Sequence, residues 1–263
     1  MKRLPYVRRQ AILDHLRDVD FVDINSLQKQ FDVSYMTIHR DLDILEMQGD
    51  VSRIYGGVKL QNNTKSIHDL TIEKRFKNNM ESKIAIAREA ASYVEPGDII
   101  GLDASTTALQ MCPFLLNMDI TVITNNIHVA LQFSNSQTVT TLLYGGILRK
   151  SALSLIGPMI YEFEKNFNIS KSFISAKSLC LKWGLSDITL EESEVKKSLI
   201  RRSGETFILV DHTKVDTSSM YTVCDIKTID CVIMDDRTFF TPEQIDVLED
   251  IKKQGVNLVF AKK

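Results

Sequence analysis

A chain of 263 residues, 44% apolar and 25% charged, has an ordinary globular composition and is long enough for one large or two unequal domains. Its net charge of −2 lacks the overall basic excess that announces a nucleic-acid binder. No apolar run reaches a membrane span, and MKRLPYVRRQ lacks the apolar core of a signal peptide, so a cytoplasmic protein with no membrane partner is expected.

Cys112, Cys180, Cys224 and Cys231 are scattered, with no CxxC pair and no histidine at zinc-ligand spacing. Reduced, mostly buried thiols are expected, with no metal site and no cofactor.

Tyr6 to Arg17 reads as a first helix burying Ala11, Ile12 and Leu16, with Arg8 and Arg9 near its exposed start. Phosphate contact and a merely solvated face are both open there. Asn25 with Gln28 three residues later forms a capping-box pattern opening a short second helix that buries Leu27 and Phe31. A tight turn through Asp32 and Val33 delivers the chain to Ser34, which can cap a third helix. On that helix Ile38, Leu42 and Leu45 fall at i, i+4 and i+7, and Gly49 stops it.

The apolar stripe leaves Tyr35, Met36, His39, Arg40 and Asp43 outside. Such a face, on a helix ~20 Å long by rise per residue, can lie in the DNA major groove. Ser34 and Thr37 sit at its entry. In VSRIYGGVKL two β-prone runs flank Gly56 and Gly57, the composition of a two-residue hairpin, hence a wing on which Arg53 and Lys59 reach a phosphate or a minor groove. Nine basic and nine acidic residues balance over positions 1–60. One copy should therefore bind DNA weakly, and two copies would be needed.

Residues 1–60 are thus expected to form a winged helix-turn-helix domain, 61–80 a linker and connecting helix, and 81–263 a larger α/β domain. Gln61 to Ser66 is polar and short. A helical stretch runs from about Ile67 to Val94, with Ile84, Ala87 and Ala91 as its buried stripe, and Glu-Pro-Gly-Asp at 95–98 ends it. Short apolar runs follow at Ile99–Leu102, Ile120–Thr124, Val139–Leu143, Ser172–Ser175, Phe207–Val210, Cys231–Met234 and Val256–Phe260. Helical patterns lie between several of them, at Thr106–Leu116, Ile127–Phe133, Ile156–Phe167, Glu191–Arg202 and Pro242–Lys253. This alternation predicts a mainly parallel sheet with helices on both faces.

In open α/β sheets ligands bind at the carboxyl ends of strands. Asp103-Ala104-Ser105-Thr106-Thr107 ends the first of these strands and opens a helix. Backbone N–H groups and hydroxyls there could converge on an anion, or a hydroxyl could simply cap the helix. Thr124-Asn125-Asn126 is a similar polar strand end. Gly145-Gly146 ends the third strand, where a turn needing positive φ competes with ligand approach. Glu191-Glu192 opens a helix, whose dipole alone would explain the carboxylates. Asp211-His212-Thr213-Lys214 offers a lysine as a point charge for a phosphate.

Arg8, Ile12 and Leu16, followed by Ser34, Thr37, Ile38, His39, Arg40, Asp41 and Leu42 and the Arg53-Ile54-Tyr55-Gly56-Gly57 wing, resemble the N-terminal signature of the DeoR family of bacterial transcription regulators. Most members carry two arginines where this chain has His39 and Arg40, and a histidine is a fixed cation only below its pKa. The motifs at Asp103 to Thr107, Thr124 to Asn126, Gly145-Gly146 with Leu155 to Pro158, Glu191 to Lys197, and Asp211 to Lys214 are similar, in order, to the family's effector domain.

That domain is related in fold to ribose-5-phosphate isomerase, which implies a phosphorylated sugar as ligand. By this resemblance Asp103 holds a sugar hydroxyl, Ser105 to Thr107 the phosphate, and Lys214 a further anionic or hydroxyl group. Lys177 stands near where many members carry an aspartate followed by glycine, which places it in the site with altered charge. The implied function is a repressor of a carbohydrate-metabolism operon, binding double-stranded operator DNA as a homodimer or homotetramer. The rival reading is a sugar-phosphate isomerase with Glu191 or Glu192 as base, which would have no use for residues 1–60.

Overall fold

The structure is a computed structural model that describes residues 5–19, 21–47, 50–54, 56–60, 75 and 78–262. The expected stop at Gly49, the linker Gln61–Ser66 and the first part of the helix expected from Ile67 lie outside the described residues. The chain divides into two compact units, Met1–Asp69 and Leu70–Lys263.

The N-terminal unit runs α1 (Pro5–Asp18), β1 (Val22–Asp23), α2 (Ile24–Phe31), α3 (Tyr35–Met47), β2 (Val51–Ile54) and β3 (Gly57–Leu60). Its core joins Ile12 and Leu16 of α1, Leu27 of α2, Ile38, Leu42 and Leu45 of α3, and Val22, Val51 and Val58 of a small sheet ordered β1-β3-β2. Ala11 and Phe31 are only half-buried.

Two expectations are corrected here. The cap of α2 is Asp23, whose carboxylate accepts the Ser26 N–H at 2.9 Å, and Asn25 falls inside the first turn. Gly57 pairs with Ile54 as a strand residue and is not part of the turn. A side chain at Gly57 would meet the Phe21 ring at 2.4 Å and the Val22 carbonyl at 2.5 Å, so close strand approach, more than turn conformation, requires glycine there.

The C-terminal unit follows as α4 (Met80–Ala91), β4 (Ile99–Leu102), α5 (Thr106–Leu109), α6 (Cys112–Leu115), β5 (Ile120–Thr124), α7 (Ile127–Phe133) and β6 (Val139–Leu143). Next come β7 (Ile147–Arg149), β8 (Ser154–Ile156), α8 (Met159–Glu164), β9 (Ile169–Ile174), β10 (Ser178–Cys180), β11 (Gly184–Asp187), α9 (Leu190–Arg201) and β12 (Ser203–Val210). The unit ends with β13 (Tyr221–Cys224), β14 (Cys231–Met234), α10 (Pro242–Lys253) and β15 (Asn257–Phe260).

Seven strands form a wholly parallel sheet in the order β15-β14-β12-β9-β4-β5-β6. Along β12 alternate residues serve opposite faces: Phe207 and Leu209 pack with α4 to α7, Ile208 and Val210 with α8 to α10. Burial on both faces explains why these strands read as continuous apolar runs. The helix expected over Thr106–Leu116 is two short helices with Pro113 at the start of the second. The stripe expected on Ile84, Ala87 and Ala91 is rotated: Lys83, Ile86, Ala87, Ala90 and Ala91 are buried and Ile84 is half-buried.

The β7–β8 hairpin and a small antiparallel sheet β10-β11-β13 are additions with three- or four-residue strands. All four cysteines are free thiols, and burial pushes Cys112, Cys224 and Cys231 up to about 12. Among the described residues no helix is long and apolar enough to cross a membrane.

Candidate functional site

Two surfaces carry the chemistry, one in each unit. In the N-terminal unit, α3 turns Ile38 and Leu42 fully inward, which leaves Tyr35, Met36 and Arg40 exposed; Met36 is 60% exposed. Ser34 holds the helix start: its carbonyl accepts the Thr37 N–H at 2.9 Å, and its hydroxyl lies 2.8 Å from Thr37 Oγ1. His39 packs its ring against Tyr35, centroids 4.1 Å apart, and its Nδ1 lies 3.2 Å from an Arg53 nitrogen.

Arg53 was expected to reach DNA from the wing. Its guanidinium instead donates to the His39 carbonyl at 3.0 Å and pairs with Asp43 and Glu46, bracing β2 against α3. Lys59 on β3 is exposed. Arg8 departs from its expected exposed place: it is buried, and its Nε lies 2.5 Å from Asp41 Oδ2, with Arg9 3.4 Å from the other oxygen. Ile12 and Leu16 occupy the same side of α1, so the packing that buries them carries Arg8 inward onto Asp41 of α3.

In the C-terminal unit the site gathers where strand order reverses. From β4 the chain runs outward through β5 and β6, then returns to place β9 on the other side of β4. Such a switch point opens a crevice at the carboxyl ends of its strands. Asp103, 1% exposed, bridges it: Oδ1 accepts the Ser105 N–H at 3.1 Å and Oδ2 accepts the Ser175 N–H at 3.2 Å.

Lys196 of α9 lies 3.0 Å from that same Oδ2 and 3.3 Å from Asp187. Burial alone would lower the Lys196 pKa, but Asp103, Asp187 and Glu192 outweigh it and hold the ammonium well above its ordinary value.

Of the two readings left open for Asp103 to Thr107, capping is what the Ser105 hydroxyl does: it accepts the Ala108 N–H at 3.0 Å. Ala104, Thr106 and Thr107 are buried beside it. Thr124 accepts the Asn126 N–H at 3.0 Å, and Asn126 caps α7 through His128 N at 2.9 Å. Asn125 donates to the Leu155 carbonyl at 3.1 Å, while its buried Oδ1 finds no partner among the described residues.

Lys214, half-buried after β12, donates to Ser175 Oγ at 2.8 Å. Burial lowers its pKa, against the opposing pull of Asp211. Asp211 is itself held below the usual carboxylate range by Lys214 and by hydrogen bonds from Thr213, although burial pushes it the other way.

Other expected members do not converge there. Gly146 has φ +150, and a Cβ would sit 2.4 Å from the Ile156 carbonyl, so Gly146 is required by the β7–β8 hairpin; Gly145 is exposed next to it. Lys177 and Glu191 are exposed, Glu191 beside a cleft lined by Gly157, Pro158 and Glu194. Glu192 is buried, and one of its oxygens takes the Arg149 guanidinium at 3.0 Å and the Ser154 hydroxyl at 2.5 Å.

Reading the sequence missed Lys83, Ser175, Asp187 and Lys196 as members of the cluster. For the two lysines a signal existed: each occupies a helix position whose neighbours three and four residues away are apolar or small. Lysines on an inward face need a buried partner.

Comparison with known proteins follows the same division. Residues 8–64 match the DeoR-like helix-turn-helix domain, and residues 78–236 match the DeoR C terminal sensor domain. The uncharacterized HTH-type transcriptional regulator YulB of Bacillus subtilis is 33% identical over 93% of both chains. The HTH-type transcriptional repressor GlcR of the same organism is 33% identical over 87% of each. The lactose phosphotransferase system repressor of Lactococcus lactis is 30% identical over 91% of this chain and 93% of its own. Among solved structures, ribose 5-phosphate isomerase A of Methanocaldococcus jannaschii is 18% identical over 52% of this chain and 55% of its own, with a TM-score of 0.39, too distant to transfer an activity. With both halves matched and relatives aligned over nearly their whole length, the chain belongs to the DeoR family of helix-turn-helix transcriptional regulators and is a regulator, not an isomerase.

Proposed function

We propose that this regulator represses a carbohydrate-metabolism operon and is released from its operator by a phosphorylated sugar bound at the carboxyl ends of β4, β9 and β12. The observation that carries the reading is the buried charged cluster Asp103–Lys196–Asp187 with Lys214 and Ser175 at the switch point of the sheet. Burying so many charges is costly unless they do something besides hold the fold. Fixed carboxylates suit sugar hydroxyls and lysines suit a phosphate. The unpartnered oxygen of Asn125 at the next strand end adds an acceptor. Relatives named as repressors of a lactose phosphotransferase system and as GlcR support a carbohydrate operon as target.

In this reading α3 enters the major groove with Ser34, Tyr35, Met36, Thr37, His39 and Arg40, and Lys59 of the wing meets the backbone. Zero net charge over residues 1–60 makes one copy a weak binder, so a cytoplasmic homodimer or homotetramer places two α3 helices in half-sites one turn apart, roughly 34 Å. A coupling free energy of ~1–3 kcal/mol between ligand and operator changes affinity ~5–150-fold, enough for a switch.

Footprinting upstream of the regulator's own operon tests both halves at once. Arg40→Ala is expected to lose the footprint while the circular dichroism spectrum is unchanged, because Arg40 is exposed and away from the core. Lys214→Met is expected to keep the footprint and lose its release by hexose and pentose phosphates. A footprint retained by Arg40→Ala would mean that α3 is not the reading helix, and a normal release in Lys214→Met would place the effector elsewhere.

A further inference from the structure

Lys83 stands apart from everything assigned so far. It sits in the first turn of α4 on the buried stripe with Ile86, Ala87, Ala90 and Ala91, and is 5% exposed. Its Nζ donates to the backbone carbonyl of Arg75. Burial, then the charges of Lys214 and Arg75, pull Lys83 down to about 8, against the opposing pull of Asp211. Lys214 feels Arg75 in the same way.

The local charges do not balance. Asp103 and Asp187 are shared with Lys196, and Asp211 accepts from Thr213. Three cations, Arg75, Lys83 and Lys214, therefore face Asp211 as their nearest remaining carboxylate among the described residues. An excess of positive charge at the edge of a strand-end crevice suits a dianionic group such as a phosphate.

We infer that Lys83 binds the anionic group of the effector and, on doing so, gives up the Arg75 carbonyl, so that one ammonium couples the crevice to the chain entering α4. This rests on the effector reading above and shifts the phosphate from Ser105 toward Lys83 and Lys214, since the Ser105 hydroxyl is committed to its helix cap. A lysine prefers an anion to a neutral carbonyl, because the charge–charge attraction in a desolvated setting exceeds the charge–dipole one. In sequence, Arg75 lies between the compact unit ending at Asp69 and α4, so the released carbonyl belongs to the stretch that joins the sensor to the DNA-binding unit. Ligand occupancy thereby becomes a change in backbone anchoring at residue 75, with no need for movement of the sheet.

The test uses the full chain and inorganic phosphate at up to tens of millimolar, with sodium chloride of equal ionic strength as the control. Binding is followed by isothermal calorimetry and backbone anchoring by hydrogen exchange over residues 70–79. In the wild type, phosphate binds and speeds exchange in that stretch several-fold. Lys83→Met binds phosphate at least tenfold more weakly, about 1.4 kcal/mol at 25 °C, and exchanges fast there with or without phosphate. Should Lys83→Met not fold, Lys83→Gln, which keeps a donor without the charge, carries the same comparison. Wild-type affinity in these variants, or an exchange response that survives them, would overturn the role of Lys83 and leave an anion site standing. Phosphate that neither binds the wild type nor alters its exchange beyond the salt control overturns the anion site and Lys83 together.

Discussion

Lys196→Met is expected to lower the stability of the C-terminal unit by about 3–5 kcal/mol, the usual cost of removing one partner from a buried ion pair. The ammonium lies 3.0 Å from Asp103 and 3.3 Å from Asp187, both well inside the unit, and its loss leaves two carboxylates facing each other without a cation. Trp183 is the chain's one tryptophan and lies in this unit, so its fluorescence in urea reports the effect separately from the DNA-binding unit. A shift of roughly 1–3 M in the midpoint is expected at a slope of ~1–3 kcal/mol per molar. The pH dependence follows from the sign of the shift. Despite the opposing effect of burial, Asp103, Asp187 and Glu192 raise the folded pKa of Lys196 above its ordinary 10.5, so its contribution is fully present below that value and is lost only as pH rises beyond it. The gap between variant and wild type should stay flat from about pH 6 to 9. A midpoint within experimental error of the wild type would show that the cluster tolerates the loss and that Lys196 holds no structural role.

Asp41→Ala is expected to cost about 3–5 kcal/mol in the N-terminal unit, by the same logic. Asp41 accepts from Arg8 at 2.5 Å and from Arg9 at 3.4 Å, tying α1 to α3 through a pair whose side chains are nearly buried. A unit of this size has only a few kcal/mol to lose, so DNA binding should vanish although Asp41 itself points away from the groove-reading face. The double replacement Arg8→Met with Asp41→Leu separates fold from contact, because exchanging a whole buried pair for apolar side chains is commonly neutral or stabilising. Hydrogen exchange over Tyr35–Met47 should return to wild-type protection in the double variant. Operator binding should return with it. Protection without binding would assign Arg8 a phosphate contact after all.

These two ion pairs also mark where reading the sequence ran short. Arg8 looked like a solvated or phosphate-contacting residue because a helix pattern gives the direction of a side chain without its partner, and Asp41 lies 33 positions away. Arg53 looked like a wing residue reaching outward, and only the pairing of β2 beside α3 shows it turned onto His39, Asp43 and Glu46. Asp103 was legible as a strand-end carboxylate, but its partner Lys196 sits on a helix almost a hundred residues later. The short strands of β7, β8, β10, β11 and β13 are too brief to leave an alternation that can be recognised.

By itself the sequence determined the order and kind of the main elements. All seven runs read as strands form the parallel sheet, because double-sided burial demands continuous apolar segments whatever their neighbours. It determined the face of α3 as well, since Ile38, Leu42 and Leu45 are one helical stripe and their burial leaves Tyr35, Met36 and Arg40 outside. Tertiary structure alone decided which charges meet. Strand order places the end of β4 beside the end of β9, so that Asp103 reaches Ser175 and Lys196, and the rotation of α4 by part of a turn brings Lys83 inside. Local periodicity fixes which face a residue occupies. The electrostatics of a site depend on distances between residues far apart in the chain, and the packing of the sheet and its helices sets those distances.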